Sequence, residues 1–260
     1  MASNAELFRQ VREKHPFVVH VTNIVTVNDC ANVCIAMGGS PCMSMYNDDV
    51  LDLAAACDAV VVNMGTLDGQ AVGDALWSAA VKATNLHKPV VFDPTGAGAS
   101  KFRNMWSGSF IQYLIPKAPE SVVIKGNYGE IGYLSGLGGK VQGVDSAGAD
   151  DPKAAAEKLA KDNHCIVAAT GPVDYVSDGE TTLELRHGTP MQNLVSGTGC
   201  MLSSVVGCFV GANGVSLESV AAAIDAFNIA AENAAKVSKG PGTFHMNLMD
   251  AVYNLKEEEL

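Results

Sequence analysis

Glycine-spaced polar residues recur along this chain, most of them beside short apolar runs. The densest group is Ser196-Gly197-Thr198-Gly199-Cys200-Met201, which leads into an apolar stretch. A helix starting there would leave backbone N–H groups unpaired and carry partial positive charge at that end. Glycines would let an anion approach those groups closely. Such a cradle suits the negative charge of a phosphoryl group in transfer. An ordinary glycine-rich turn before a helix has the same spacing.

Four further groups offer matching chemistry. Asp93-Pro94-Thr95-Gly96-Ala97-Gly98 follows the run PVVF, and an aspartate at a strand's carboxyl end can hold Mg²⁺ or its bound water. Its Gly-x-Gly lacks the third glycine of a dinucleotide fingerprint. In Lys125-Gly126-Asn127-Tyr128-Gly129-Glu130, Lys125 could neutralise phosphate charge and Glu130 could hold a metal-bound water. A tight turn capped by Asp93 and a solvated strand end at Lys125 are the plainer alternatives. Thr170, after CIVAA, could donate to a phosphate. Near the start, Thr22-Asn23-Ile24-Val25-Thr26-Val27-Asn28 follows another apolar run, and Asn23 has the donors and acceptor to meet a heteroaromatic ring or an alcohol. An Asx-type helix cap would fit Asn28 better than Asn23. Met43 could lie against a sulfur heterocycle or simply fill the core.

The elements that must position these residues alternate. Phe17–Val21, Ala59–Asn63 and residues 89–93, 122–125 and 165–169 read as strands. They are apolar throughout rather than alternating, as in parallel strands covered on both faces by helices. Residues 28–37, 68–86 and 152–163 read as helices, the last with Asp151 as N-cap and Pro152 in its first turn. Asp178-Gly179, between residues 174–177 and 181–186, predicts an antiparallel hairpin at one sheet edge. Residues 199–211 read as a small-residue helix, and Leu217, Val220, Ile224, Phe227, Ala231 and Ala234 form one helical stripe. The expected fold is α/β: a central, mostly parallel sheet flanked by helices, in a single domain over residues 1–260.

With 17 basic and 28 acidic residues the net charge is −11, so nucleic acid is not expected as a partner. The polar start and the lack of a long apolar run predict no leader and no membrane span, hence a cytoplasmic protein. The seven cysteines, an odd number without a CxxC spacing, are expected to be free thiols.

Taken together and in order, TNIVTVN, GGSPCM, VVVNMGTL, VVFDPTGAGAS, VIKGNYGEI, AATGPVDYVSDG and SGTGCMLSS resemble the hydroxyethylthiazole kinase family of thiamin salvage. The similarity covers residues 16–255. It implies a ribokinase-like three-layer fold, ATP as co-substrate, Mg²⁺ as cofactor and 4-methyl-5-(2-hydroxyethyl)thiazole as acceptor. It also implies a homotrimer with thiazole sites between subunits. By position, Asn23, Val25, Met43 and Gly197 look like the thiazole contacts, and Lys125 and Thr170 the ATP contacts. Asp93 and Glu130 match the acidic positions near Mg²⁺, and Gly197, Thr198, Gly199 and Cys200 the anion hole.

Many ribokinase-like enzymes carry an aspartate, as base, where this chain has Cys200. The helix start is expected to lower the thiol's pKa, and His187 or His245 could approach it in space. A kinase for a pyrimidine alcohol or a sugar is the nearest rival reading. A dinucleotide-dependent oxidoreductase and a silent nucleotide binder are the rivals from other classes.

Overall fold

A computed structural model describes residues 2–67, 69–138, 140–142, 145–147 and 151–260; in 140–142 and 145–147 only the backbone is described. In chain order the elements are α1 (Asn4–Lys14), β1 (Phe17–Val21), α2 (Val27–Met37), β2 (Ser40–Met43), α3 (Asn47–Ala56) and β3 (Ala59–Asn63). Then come α4 (Gln70–Asn85), β4 (Val90–Asp93), α5 (Lys101–Tyr113), β5 (Val122–Asn127) and α6 (Tyr128–Ser135). A small separate hairpin follows, β6 (Lys140–Gln142) and β7 (Asp145–Ala147). The chain ends with α7 (Pro152–Asn163), β8 (Ile166–Thr170), β9 (Asp174–Ser177), β10 (Thr182–Leu185), α8 (Thr198–Asn213), α9 (Leu217–Val237) and α10 (Pro241–Asn254). The expected start of α4 at Asp68 lies outside the described residues.

The main sheet has eight strands in the order β10-β9-β8-β5-β4-β3-β1-β2. Pairs from β2 across to β8 are parallel, while β8–β9 and β9–β10 are antiparallel. The antiparallel edge is the hairpin read from Asp178-Gly179. The Asp178 carboxylate accepts the Glu180 and Thr181 N–H groups, which closes the turn.

Both faces of the sheet are covered. Val18, Val61, Val91, Val123 and Ala168 point into one core, shared with α1, α2, α8, α9 and α10. Val19, Val60, Val62, Phe92, Ile124 and Val167 point into a second core, shared with α3, α4, α5 and α7. This double burial is why the strands carry no polar alternation. Helix α8 lies against β1 and β3 because Gly207 has no side chain: a Cβ there would come within 2.6 Å of Val61 Cγ2.

The sequence reading omitted α1, β2, α3, α5, α6, β6, β7 and α10. β2 is the four-residue SPCM, which pairs in parallel along its whole length with β1. Asp151 caps α7 as expected, accepting the Ala154 N–H at 2.9 Å. Asn28 does not cap α2, whose N-cap is Thr26 with no side-chain cap bond; Asn23 closes the turn before the helix, its Oδ1 accepting both the N–H and the hydroxyl of Thr26, each at 3.1 Å. Asn28 is already inside α2, where its Oδ1 accepts from Asn32.

Candidate active site

Four parallel strands end in polar residues at one edge of the sheet. β3 ends in Asn63, β4 in Asp93, β5 in Asn127 and β8 in Thr170, and Asn63 stands in register with Asp93. The chain leaving β1 brings Asn23 to the same edge. Helix α8 points its amino end at this row. A strand end is where an α/β sheet can expose side chains without breaking its ladder.

Asn23 and Asn63 act together. Asn23 Nδ2 donates to Asn63 Oδ1 at 3.0 Å, and Asn63 Oδ1 also accepts the Gly65 N–H at 2.7 Å. Both carboxamides donate to Cys200 Sγ, at 3.3 Å from Asn23 and 3.4 Å from Asn63. The thiol is held as an acceptor. Burial first, then the Asp93 carboxylate, push its pKa up, and Lys125, Thr26 and Asn23 offset this only in part. The lowering expected from the helix start is therefore overturned. Desolvation of the thiolate outweighs the partial charge of a helix end.

Behind Cys200 lies a buried ion pair. Lys125 Nζ stands 3.6 Å from Asp93 Oδ2, with both side chains 4% exposed. It donates to Gly199 O at 2.9 Å, which ties β5 to the first turn of α8. Burial alone would lower the lysine pKa, but Asp93, Cys200, Glu130 and Asp174 together hold it above its ordinary value. Lys125 is thus a buried cation beneath the helix start and not a solvated strand end. Asp93 Oδ2 also accepts from Ser203 at 2.7 Å, and its Oδ1 from Thr95 at 2.8 Å.

Glu130 is buried beside this pair. Its Oε1 accepts the Gly96 N–H at 2.7 Å and its Oε2 the Asn127 N–H at 2.8 Å. With Asn127 Oδ1 accepting the Glu130 N–H, this is a capping box at α6. Burial, then Asp93, push the Glu130 pKa up. One carboxylate therefore holds two loops of the site, a structural duty beyond the metal role read from sequence. Thr170 Oγ1 donates to Gly126 O at 3.2 Å, a link between β8 and β5.

The amino end of α8 fits an anion. Gly197 has φ 91°, and a Cβ there would lie 2.2 Å from Thr26 Cγ2, so only glycine lets the turn pass so close to α2. The helical ladder starts with Met201 N–H donating to Gly197 O. The N–H groups of Thr198, Gly199 and Cys200 precede it and have no partner within the helix.

Other expected residues lie further out. Met43 ends β2 beside His20, half-buried. Val25 sits on the turn before α2 and is 65% exposed. His187 pairs with Glu232 and His245 with Asp29, so neither serves Cys200. Three residues were missed. Asn63 carried a readable signal, a polar residue closing a buried run as Asp93 does. Ser203 and Arg103 carried none; the Arg103 guanidinium donates at 2.6 Å to the carbonyls of Met64, Gly65 and Thr95, clamping the loops after β3 and β4.

The site suits a magnesium ion. Asp93 and Glu130 place two buried acidic side chains near one buried lysine, with the Glu130 pKa pushed up to about 7 by burial and Asp93. Among the described residues no group of three His, Cys, Asp or Glu could hold a metal alone. That donor set matches Mg²⁺, which keeps its waters and is held by one or two carboxylates together with substrate phosphates.

The profile of the hydroxyethylthiazole kinase family matches residues 8–258. The chain belongs to that family. A hydroxyethylthiazole kinase of Thermoanaerobacter pseudethanolicus is 43% identical over 256 residues, covering 97% of this chain and 95% of its own. One from Methanocella arvoryzae is 41% identical over 255 residues, covering 98% and 94%. The solved hydroxyethylthiazole kinase of Pyrococcus horikoshii OT3 superposes with a TM-score of 0.88 at 36% identity, over 98% of this chain and 94% of that one. A ribokinase-like superfamily protein of Enterococcus faecalis, TM-score 0.70 at 13% identity, shares the fold, so the sheet and its two helix layers are ribokinase-like.

Proposed function

We propose that this chain transfers the γ-phosphoryl group of ATP to the hydroxyl of 4-methyl-5-(2-hydroxyethyl)thiazole, a step of thiamin salvage. Family membership supports the reaction. The observation that carries the mechanism is the α8 amino end, with unpaired N–H groups above the buried Lys125–Asp93 pair.

In this reading the N–H groups of residues 198–200 receive the transferring phosphoryl oxygens. Gly197 gives them access. Lys125 adds a fixed positive charge, and its bond to Gly199 O keeps that turn in place. Phosphoryl transfer is largely dissociative, so positioned charge supplies most of the catalysis. Asp93 and Glu130 are the residues to hold Mg²⁺, through its waters, and the ion would neutralise developing phosphate charge. Thr170 lies on the ATP side. Asn23, Val25, Met43 and Gly197 form the thiazole side. Cys200, whose surroundings favour the neutral thiol, orients the alcohol, and only its minor thiolate fraction can take the alcohol's proton, so its contribution as a base is modest.

A homotrimer with thiazole sites between subunits belongs to the same proposal. Its support is an apolar surface at the substrate turn and α2, where Ile24, Val25 and Ile35 are 59%, 65% and 60% exposed. No helix among the described residues is long and apolar enough to cross a membrane.

The test is an alcohol panel. The protein with Mg·ATP is given the thiazole, a pyrimidine alcohol or a sugar, and both ADP and the phosphorylated product are measured. Thiazole-dependent product with silent controls is the expected result. ADP release with a control alcohol instead would keep the reaction and overturn the substrate.

A further inference from the structure

An unbroken run of side-chain hydrogen bonds crosses the molecule behind the site. It begins at the turn after Thr170, where Gly171 N–H donates to Asp174 Oδ1 at 2.9 Å. Asp174 is buried, and its Oδ2 accepts from Asn228 Nδ2 on α9 at 2.7 Å. Asn228 Oδ1 accepts from Gln192 Nε2 at 3.1 Å. Gln192 Oε1 in turn accepts the Thr189 N–H at 2.9 Å, fixing the short 3₁₀ turn Pro190–Leu194. The carbonyl of the same Gln192 accepts from Thr198 Oγ1 at 3.0 Å, at the first residue of α8.

The orientation of Asn228 is fixed by its neighbours. A carboxylate can only accept, so the Asn228 amide faces Asp174 and its carbonyl faces Gln192. Neither partner reaches the other without it. The turn beside Thr170 and the first turn of α8 are joined by no ladder hydrogen bond, since β8 and α8 belong to different layers. Asn228 spans that gap from a helix that contributes nothing else to the site. Buried, fully bonded polar chains of this kind hold a single arrangement, because breaking any link leaves a costly unpaired group.

We propose that Asn228 is a positioning residue for phosphoryl transfer, which locks the nucleotide-side turn at Gly171 to the anion hole at Thr198 through Asp174 and Gln192. This rests on the kinase reading above. Asn228 touches neither substrate; it acts by keeping the two ends in register.

The test compares wild type, Asn228→Leu, Gln192→Met and the double variant for ATP KM, thiazole KM and kcat. Asn228→Leu is expected to raise ATP KM and lower kcat, each about tenfold, the effect of one lost hydrogen bond to a charged group. Gln192→Met, which leaves the Asp174–Asn228 bond intact, is expected to lower kcat about tenfold with ATP KM less affected. Thiazole KM is expected to stay within about twofold throughout, and the double variant to match Asn228→Leu, because the two substitutions break one chain. Unchanged constants in Asn228→Leu, or losses that multiply in the double variant, would overturn the proposal. Should Asn228→Leu fail to fold, Gln192→Met decides: an unchanged kcat overturns the relay, and a fall at unchanged melting temperature supports it. If wild type binds ATP but phosphorylates no alcohol, the kinase reading fails, and the Asn228 relay is judged on ATP affinity alone by the same tenfold criterion.

Discussion

At the amino-terminal edge of the sheet, three helix-to-strand turns place a histidine in the left-handed region: His15, His87 and His164, with φ of 49°, 53° and 53°. Their backbone bonds are short in sequence, as from His15 N–H to Val11 O and from His87 N–H to Thr84 O. Their side chains are exposed. At the carboxyl-terminal edge the bonds are long in sequence: Asn23 to Cys200 spans 177 residues, Asp93 to Ser203 110, and Lys125 to Gly199 74. One edge closes its three histidine turns through such local backbone bonds, although Lys88 also donates to Cys57 O and His87 pairs with Glu120 across the chain. The other exists only once the sheet and α8 have come together, so its residues should fail together while those of the first edge fail singly.

The sharpest way to break that contrast is Lys125→Met. It leaves Asp93 buried without its cation, which typically costs about 3–5 kcal/mol of stability. It also removes a fixed charge from the transfer site, so kcat should fall on the order of 10²–10³-fold. Denaturant midpoints and initial rates check both.

Stability against pH gives the next effect, with opposite signs at two buried groups. Burial lowers His20 from 6.5 to about 4. The unfolded chain therefore takes up a proton before the native state does, and stability is lost as pH falls from about 6.5 to about 4. Asp174 is raised from 3.8 to about 6, chiefly by burial. The native state keeps its proton longer, and stability is lost as pH rises through that window. His20→Asn should remove the first slope and Asp174→Asn the second, each worth about 3 kcal/mol across its window. Urea midpoints measured across the window should move in opposite directions in the two variants.

Asn63→Leu comes third. It releases Cys200 and Asn23 together, and kcat should fall about 10–100-fold, the range for lost buried hydrogen bonds. Restoring an amide in Asn63→Gln is not expected to recover the rate, because the longer side chain cannot keep both bonds. The smallest effect is expected at the other edge. His15→Gly, His87→Gly and His164→Gly relieve the left-handed strain but loosen the unfolded chain, so stability should change by no more than about 1 kcal/mol. Their kinetic constants should equal those of wild type.

The same contrast governs what the sequence could reveal. The strands, the edge hairpin and the loops after β4, β5 and β8 announce themselves through local composition. So do Asp93, Lys125 and the glycines at the start of α8. Asn63 was readable in principle, as the polar end of VVVN, but only the fold brings it to Cys200. Ser203, Arg103 and Asn228 sit inside helical stretches with no local mark, since their partners are 110, 39 and 54 residues away. The Cys200 pKa went astray for the same reason: a helix start is visible in sequence, whereas the burial and the Asp93 carboxylate that outweigh it are not.

The central claim is that the anion hole and its buried charges carry the transfer, with Cys200 a modest helper. The measurement that tests it most directly is the rate of thiazole phosphorylation by Cys200→Asp beside wild type, at saturating Mg·ATP. Asn23 and Asn63 already aim donors at that position, so a carboxylate should be held as the thiol is. The account predicts that the variant remains active, within about tenfold of wild type, well inside the ~10²–10⁴-fold range of a dominant general base. Complete loss of transfer in a variant that folds and binds ATP would contradict it.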